Sequence, residues 1–142
     1  MKYEFASPAW LAAIHGIISE RASSLMKETP ALRMSICEVF TGAPRHLADD
    51  AGRIVWSCVI EEGVVDFRLA ERDDTRFKVT VDYAAVLPLG RFDAKGDPER
   101  QTELSRMSAE LIERGVMKIV GTRDSDPRAM PSVHDAIARL TA

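Results

Sequence analysis

At 142 residues, 46% hydrophobic and 29% charged, the chain has the proportions of one globular domain (1–142) and too much apolar content for wholesale disorder. A net charge of −3, with basic residues scattered from Lys2 to Arg139, excludes the clustered Lys/Arg face that nucleic acid or a polybasic membrane anchor needs. The longest apolar stretches, such as Ile54 to Ile60, are far short of a membrane span, and neither terminus carries a targeting pattern, so a cytoplasmic protein is expected.

Ser7-Pro8 predicts a helix start, with a hydroxyl cap followed by proline at the first helical position. Trp10, Leu11, Ile14, Ile17, Ile18, Ala22 and Leu25 then recur at helical spacing, and Thr29-Pro30 ends the run. Four alternating segments follow. Leu32, Met34, Ile36 and Phe40 alternate with Arg33, Ser35 and Cys37. Ile54, Trp56, Cys58 and Ile60 alternate with Val55, Ser57 and Val59, a segment apolar on both faces and so expected near the centre of a sheet. Glu61-Glu62-Gly63 predicts a tight turn into Val65, Phe67 and Leu69, and Phe77, Val79, Val81 and Tyr83 form the fourth segment. Short connections predict an antiparallel meander with one wet face. Gly42 to Gly52 is its one long loop, and the mixed charges of Glu71 to Lys78 read as a solvated hairpin tip.

Beyond this the pattern turns helical. Ala84 to Leu89 predicts a short helix closed by Gly90, and Asp97-Pro98 opens a longer one with Leu104, Met107, Leu111 and Ile112, ended by Gly115. Val116 to Gly121 predicts a fifth strand. Ser132-x-x-Asp135 reads as a capping box opening a last helix with Val133, Ala136, Ile137 and Leu140 on its apolar side. This segregated order predicts an α+β fold: a five-stranded, mainly antiparallel sheet with helices covering one face.

The sequence offers no catalytic constellation. It contains no Gly-x-Gly, no phosphate-cradling loop and no Gly-x-Ser-x-Gly elbow. His15, His46 and His134 stand in no metal-ligating pattern, so no metal and no cofactor is expected. Ser132, His134 and Asp135 are adjacent on one helix and cannot converge as a triad; His134 reads as a surface histidine. Cys37 and Cys58 fall inside strands and read as packed free thiols. Fourteen Arg against five Lys, with no Asn, suggest a GC-rich bacterial coding sequence. Glu38 shares the parity of Ile36 and Phe40, so strict alternation puts a carboxylate on the core face. A strand that frays before Phe40 would instead leave it in water, the ordinary place for a charge. Glu38 is the best single candidate for a polar anchor.

Several local motifs resemble the sterol-carrier-protein-type lipid-binding domain over roughly Phe5 to Leu140. Phe5-Ala6-Ser7-Pro8-Ala9-Trp10 is similar to the family's aromatic-serine-x-x-Trp helix start, and Glu62-Gly63 to its acidic-glycine turn. Asp82 to Gly90 resembles its leucine-rich short helix. Gly115-Val116-Met117-Lys118-Ile119-Val120-Gly121 reproduces its Gly-x-x-Lys-Ile-x-Gly strand. The stretch Asp93 to Arg114 and the Gly42 to Gly52 loop are longer than the family pattern. The resemblance implies a cavity between sheet and later helices that takes fatty-acyl or sterol-like molecules, without a cofactor.

Residues expected to line such a cavity are Glu38, Trp56, Cys58, Phe67, Leu69, Val79, Leu87, Met107, Leu111, Met130 and Ile137. The same residues could close-pack into a dry core. Non-catalytic binding or carriage of an apolar ligand is the expected function. The alternatives are an interaction module or accessory subunit, for which a homodimer is possible, and an enzyme with Glu38 or His134 as acid or base on a hydrophobic substrate.

Overall fold

Ser7 opens the first helix as its chemistry dictates: its Oγ accepts the Trp10 backbone N–H at 3.2 Å, and Pro8 follows at the first helical position. The computed structural model describes residues 1–142. In chain order it contains α1 (Pro8–Glu28), β1 (Met34–Thr41), β2 (Ile54–Glu61), β3 (Val64–Arg68), β4 (Phe77–Asp82), α2 (Tyr83–Gly90), α3 (Pro98–Glu113), β5 (Met117–Gly121) and α4 (Val133–Leu140). Two short 3₁₀ turns, Arg123–Ser125 and Pro127–Ala129, lie between β5 and α4. Glu62 and Gly63 both take positive φ (52° and 76°), the mirror-image turn whose twist suits a hairpin between β2 and β3.

The fold is α+β. Its sheet has the order β3-β2-β1-β4-β5, and every pair is antiparallel except β1 with β4, which run parallel. The expected four-strand meander is therefore corrected. The chain leaves β3 at one edge and re-enters beside β1 as β4, and residues 69–76 form the crossover. Arg68 lies level with Ser57, and Cys37 with both Ser57 and Lys78, so the crossover must travel sideways across a sheet face. It crosses over small side chains. Ser57 Oγ donates to Ala70 O at 2.8 Å, and Ser35 Oγ accepts the Arg76 N–H at 2.7 Å. Ser35, Cys37 and Ser57 are buried beneath it. The face expected to be wet is thus covered at its centre, and Glu71 to Lys78 is a strap in place of a hairpin tip. Its charges pair both within the strap and with residues in or next to the neighbouring strands: Glu71 bridges Lys78 and Arg53, and Arg72 bridges Asp74 and Asp66.

The opposite face carries the core. Ile36, Phe40, Trp56, Cys58, Ile60, Phe77, Val79 and Val81 join Trp10, Ile14 and Ile18 of α1, Val86 of α2, Leu111 of α3 and Ile137 of α4 in one cluster of 23 buried residues. Each such aliphatic or aromatic side chain removed from water contributes on the order of 1.5–3 kcal/mol. α1 touches β3 and α4, and α3 touches β5. The helices thus divide the face, with α1 over the β3 side and α2, α3 and α4 towards the β5 side. Glu38 lies on β1, the middle strand. No helix is long and apolar enough to cross a membrane.

Candidate functional site

The two halves of the helical layer do not fill the space over β4 and β5. An open pocket of about 370 Å³ remains there, and half of its lining residues are hydrophobic. Its floor is the sheet: Glu38 from β1, Phe77 and Val79 from β4, and Met117 and Ile119 from β5. Phe5 and Trp10 close the α1 end, Val86, Leu89 and Gly90 of α2 form one wall, and Leu104 and Ser108 of α3 form another. Met130, His134, Asp135 and Ile137 complete it from the last helix and the segment before it. The exposed lining residues Gln101, Ser105, Arg123, Ala129, Pro131 and Ser132 mark the mouth. α3 lies within the stretch Asp93 to Arg114 and supplies a wall of the pocket.

A charged cluster sits at the edge of this apolar space. Glu38 is only 2% exposed, and β1 continues unbroken to Thr41, so the expected fraying does not occur. The carboxylate is held from two directions. The Trp56 Nε1–H donates to Oε1 at 2.9 Å, and Arg128 Nη1 donates to both oxygens at 3.1 and 3.0 Å. Arg128 comes from the second 3₁₀ turn, ninety residues away in sequence. Its Nε–H lies 3.2 Å from each oxygen of Asp126, whose Oδ1 also accepts the Arg128 backbone N–H at 2.8 Å. Asp126 is thus the cap of that turn, followed by Pro127, just as Asp97-Pro98 opens α3. Burial pushes the Glu38 carboxyl above its ordinary value; the neighbouring Arg128 charge and the Trp56 and Arg128 hydrogen bonds oppose that rise without cancelling it. Arg128, although largely buried, is held fully charged by Asp126 and Glu38.

His134 lies on the cavity wall, not at the open surface. Its Nε2 is 3.1 Å from the Phe92 carbonyl oxygen. Burial, reinforced by the Arg128 charge, pulls its pKa down, so the ring is neutral near pH 7. The capping box predicted at Ser132 does not form. Ser132 adopts a left-handed φ of 68° and caps nothing with its side chain, while Asp135 turns away to accept the Ala94 N–H at 2.9 Å. That bond ties α4 to the loop preceding α3.

Of the residues expected to line a cavity, Glu38, Val79, Met130 and Ile137 do so. Trp56, Cys58 and Phe67 share the same sheet face, but on the side that α1 covers; Phe67 stacks on His15 of α1 at 4.5 Å and on Trp56 at 5.4 Å. Leu111 packs into the core, Leu87 and Met107 are half-buried outside the pocket, and Leu69 lies beyond the end of β3 and is 65% exposed. Sequence reasoning missed Asp126 and Arg128 and misplaced His134. The Asp-Pro pair at 126–127 was a readable signal for the first two. For His134 the signal was its spacing of three from Ile137, which puts both on one helix face. Cys37 and Cys58 are free and buried, and burial pushes the Cys58 thiol up to about 12.

No protein-family profile matches the sequence, and no curated protein matches it. Solved structures do. A ubiquinone synthesis protein, UbiJ-SCP2, superposes with a TM-score of 0.51 at 16% identity, over 99% of this chain and 100% of that one. A conserved hypothetical protein of Thermus thermophilus, suggested to be a sterol carrier protein, superposes with a TM-score of 0.50 at 13% identity, over 100% of this chain and 94% of that one. At these identities the likeness is one of fold: the sheet and helix arrangement is of the sterol-carrier-protein type.

Proposed function

We propose that this chain, built on the sterol-carrier-protein-type fold, binds and carries a small apolar or amphipathic molecule, fatty-acyl or sterol-like, between the sheet and helices α2–α4. The observation that carries this reading is the pocket itself. About 370 Å³ of space stands over an apolar sheet face that a filled core would have closed. That volume is at the lower end of the ~300–1,000 Å³ typical of ligand sites, and apolar walls with a few placed polar groups are their usual make-up. The descriptions of the two fold neighbours, ubiquinone synthesis and a suggested sterol carrier, both concern largely apolar molecules.

Native mass spectrometry of the purified protein, alone and with added medium-chain alcohols, fatty acids or sterols, tests the proposal. A bound apolar ligand is the expected result. Failure of every probe to bind at micromolar concentration would sink it. A second reading, catalysis in the same pocket, has one observation in its favour: Glu38 and His134 both line it, and burial drives their pKa values in opposite directions. Against it, both Glu38 oxygens are engaged by Arg128 and Trp56. An NMR titration in which Glu38 stays inert as ligand enters would support binding alone.

A further inference from the structure

The polar groups around the cavity are unequal in what they leave free for a guest. The Phe92 carbonyl can only accept a hydrogen bond, so the His134 nitrogen facing it, Nε2, carries the proton. In the neutral ring Nδ1 is then a bare lone pair. No group of the protein donates to it, and it is not among the sealed polar atoms, so it keeps access to solvent on a residue that lines the cavity. The charged groups are, by contrast, already engaged. Arg128, the one guanidinium deep in the pocket wall, is shared between the carboxylates of Glu38 and Asp126. Asp135, a third carboxylate on the lining, is held by the Ala94 N–H. Two acids thus hold the one deep cation and a third lies on the same lining, so an entering carboxylate would meet more negative charge than positive. Desolvating an anion against like charges is among the most costly things a binding site can do. A neutral donor suffers neither penalty.

We propose that the cavity selects apolar molecules ending in a neutral hydrogen-bond donor, an alcohol, over those ending in a carboxylate, with His134 Nδ1 as the acceptor. This rests on the apolar-cavity reading above and specifies its head group. The competing arrangement is a carboxylate left at the mouth beside Arg123, which is exposed and reaches only Ser108 Oγ at 3.5 Å. That arrangement makes the opposite prediction for both ligand and variant.

The test uses three probes with one tail: dodecanol, dodecanoate and dodecyl methyl ether, the ether keeping the oxygen but losing the donor. Affinities are read at pH 7.5 by displacement of N-phenyl-1-naphthylamine. Dodecanol is expected to bind roughly tenfold more tightly than either of the others, about the worth of one hydrogen bond made in place of one lost. In His134→Phe the alcohol should fall to the level of the ether, while the ether is unchanged. Equal affinities for alcohol and ether would overturn the role of His134. Dodecanoate binding as tightly as dodecanol, and weakening in Arg123→Gln, would overturn the head-group assignment and leave the apolar cavity standing. If none of the three binds, the cavity reading itself fails and takes this assignment with it. Should His134→Phe not fold, the three-ligand comparison on the unaltered protein decides alone.

Discussion

Replacing Arg128 with methionine strands Glu38. The side chain keeps the Trp56 hydrogen bond but loses both bonds from Nη1 and its only paired cation, at a position 2% exposed. Hydrogen bonds to charged groups are worth about 1.5–3 kcal/mol each, and breaking a buried pair from one side costs about 3–5 kcal/mol. The loss has a ceiling, because the carboxyl can take a proton instead. From its ordinary 4.5 to pH 7 that costs about 1.4 kcal/mol per pH unit, about 3.4 kcal/mol in all. Arg128→Met should therefore lose about 3 kcal/mol at pH 7. The sign of its pH dependence follows. A carboxyl whose folded pKa lies above its unfolded value destabilises the fold at high pH and stops doing so as pH falls through the folded pKa towards 4.5. The deficit of the variant should shrink steadily on acidification and be nearly gone near pH 4.5. Glu38→Gln should behave differently. It leaves Arg128 paired with Asp126 and 22% exposed, and should cost only about 1–2 kcal/mol, a deficit that shrinks as pH rises from 4.5 through the raised folded pKa of Glu38, because the parent alone then carries a buried ionised carboxyl. Urea unfolding followed by circular dichroism at half-unit pH steps measures both. A pH-independent deficit in Arg128→Met, or a larger loss in Glu38→Gln, would refute the reasoning.

Three further outcomes are expected. Gly121 sits at φ 96° with the position of a Cβ only 2.0 Å from the Arg76 carbonyl oxygen, so Gly121→Ala should cost about 2–4 kcal/mol in chemical denaturation; a neutral effect would contradict that close approach. Cys37 and Cys58 are fully buried, and the Cys58 thiol is pushed up to about 12, so neither should react with a thiol-specific disulfide reagent at pH 8 until urea unfolds the protein; rapid labelling of the native state would show the core opening. Leu104→Trp adds volume to the cavity wall and should weaken binding of dodecanol at least tenfold while changing stability by about 1 kcal/mol or less, checked by probe displacement and urea unfolding together.

Local structure was legible wherever one residue's chemistry decided it. Ser7-Pro8, Asp97-Pro98 and Glu62-Gly63 mark their caps and turn, and alternation finds all five strands because one sheet face is consistently apolar. Strand order was not legible, since β4 shows the same alternation whether it pairs with β3 or with β1. The clue lay in size: Ser35, Cys37 and Ser57 cluster on the rear of two neighbouring strands, and only small side chains leave room for the strap of residues 69–76. The site was legible in its floor and not in its rim. Val79 follows from strand parity and Ile137 from helical period, whereas Arg128 and Asp126 sit on irregular backbone that no period describes. Trp56, Cys58 and Phe67 were assigned to the cavity because parity identifies the face of a sheet but not which helix covers which half of it.

The location of the Glu38–Arg128 pair separates two reasons for burying it. Had stability been its purpose, apolar side chains of similar size would serve as well or better, since desolvating two charges offsets most of what their attraction returns. Geometry offers another reason. The segment from Arg123 to Ser132 frames the cavity mouth, consists of two single turns, and inserts few apolar side chains into the core; Met130 is the largest of them. Its strongest directional tie to the sheet is the guanidinium of Arg128 on Glu38, with Asp126 fixing that guanidinium to its own turn. A paired charge specifies a position as well as a contact, because a shifted guanidinium leaves a buried carboxylate exposed to its full desolvation penalty. Apolar packing tolerates the same shift at little cost. The pair thus holds the rim of the cavity at one distance from its floor, and the double variant Glu38→Leu/Arg128→Leu isolates that role. Stability near that of the parent, combined with altered ligand affinity, is what a positional function requires; unchanged affinity would reduce the pair to a buried ornament of the core.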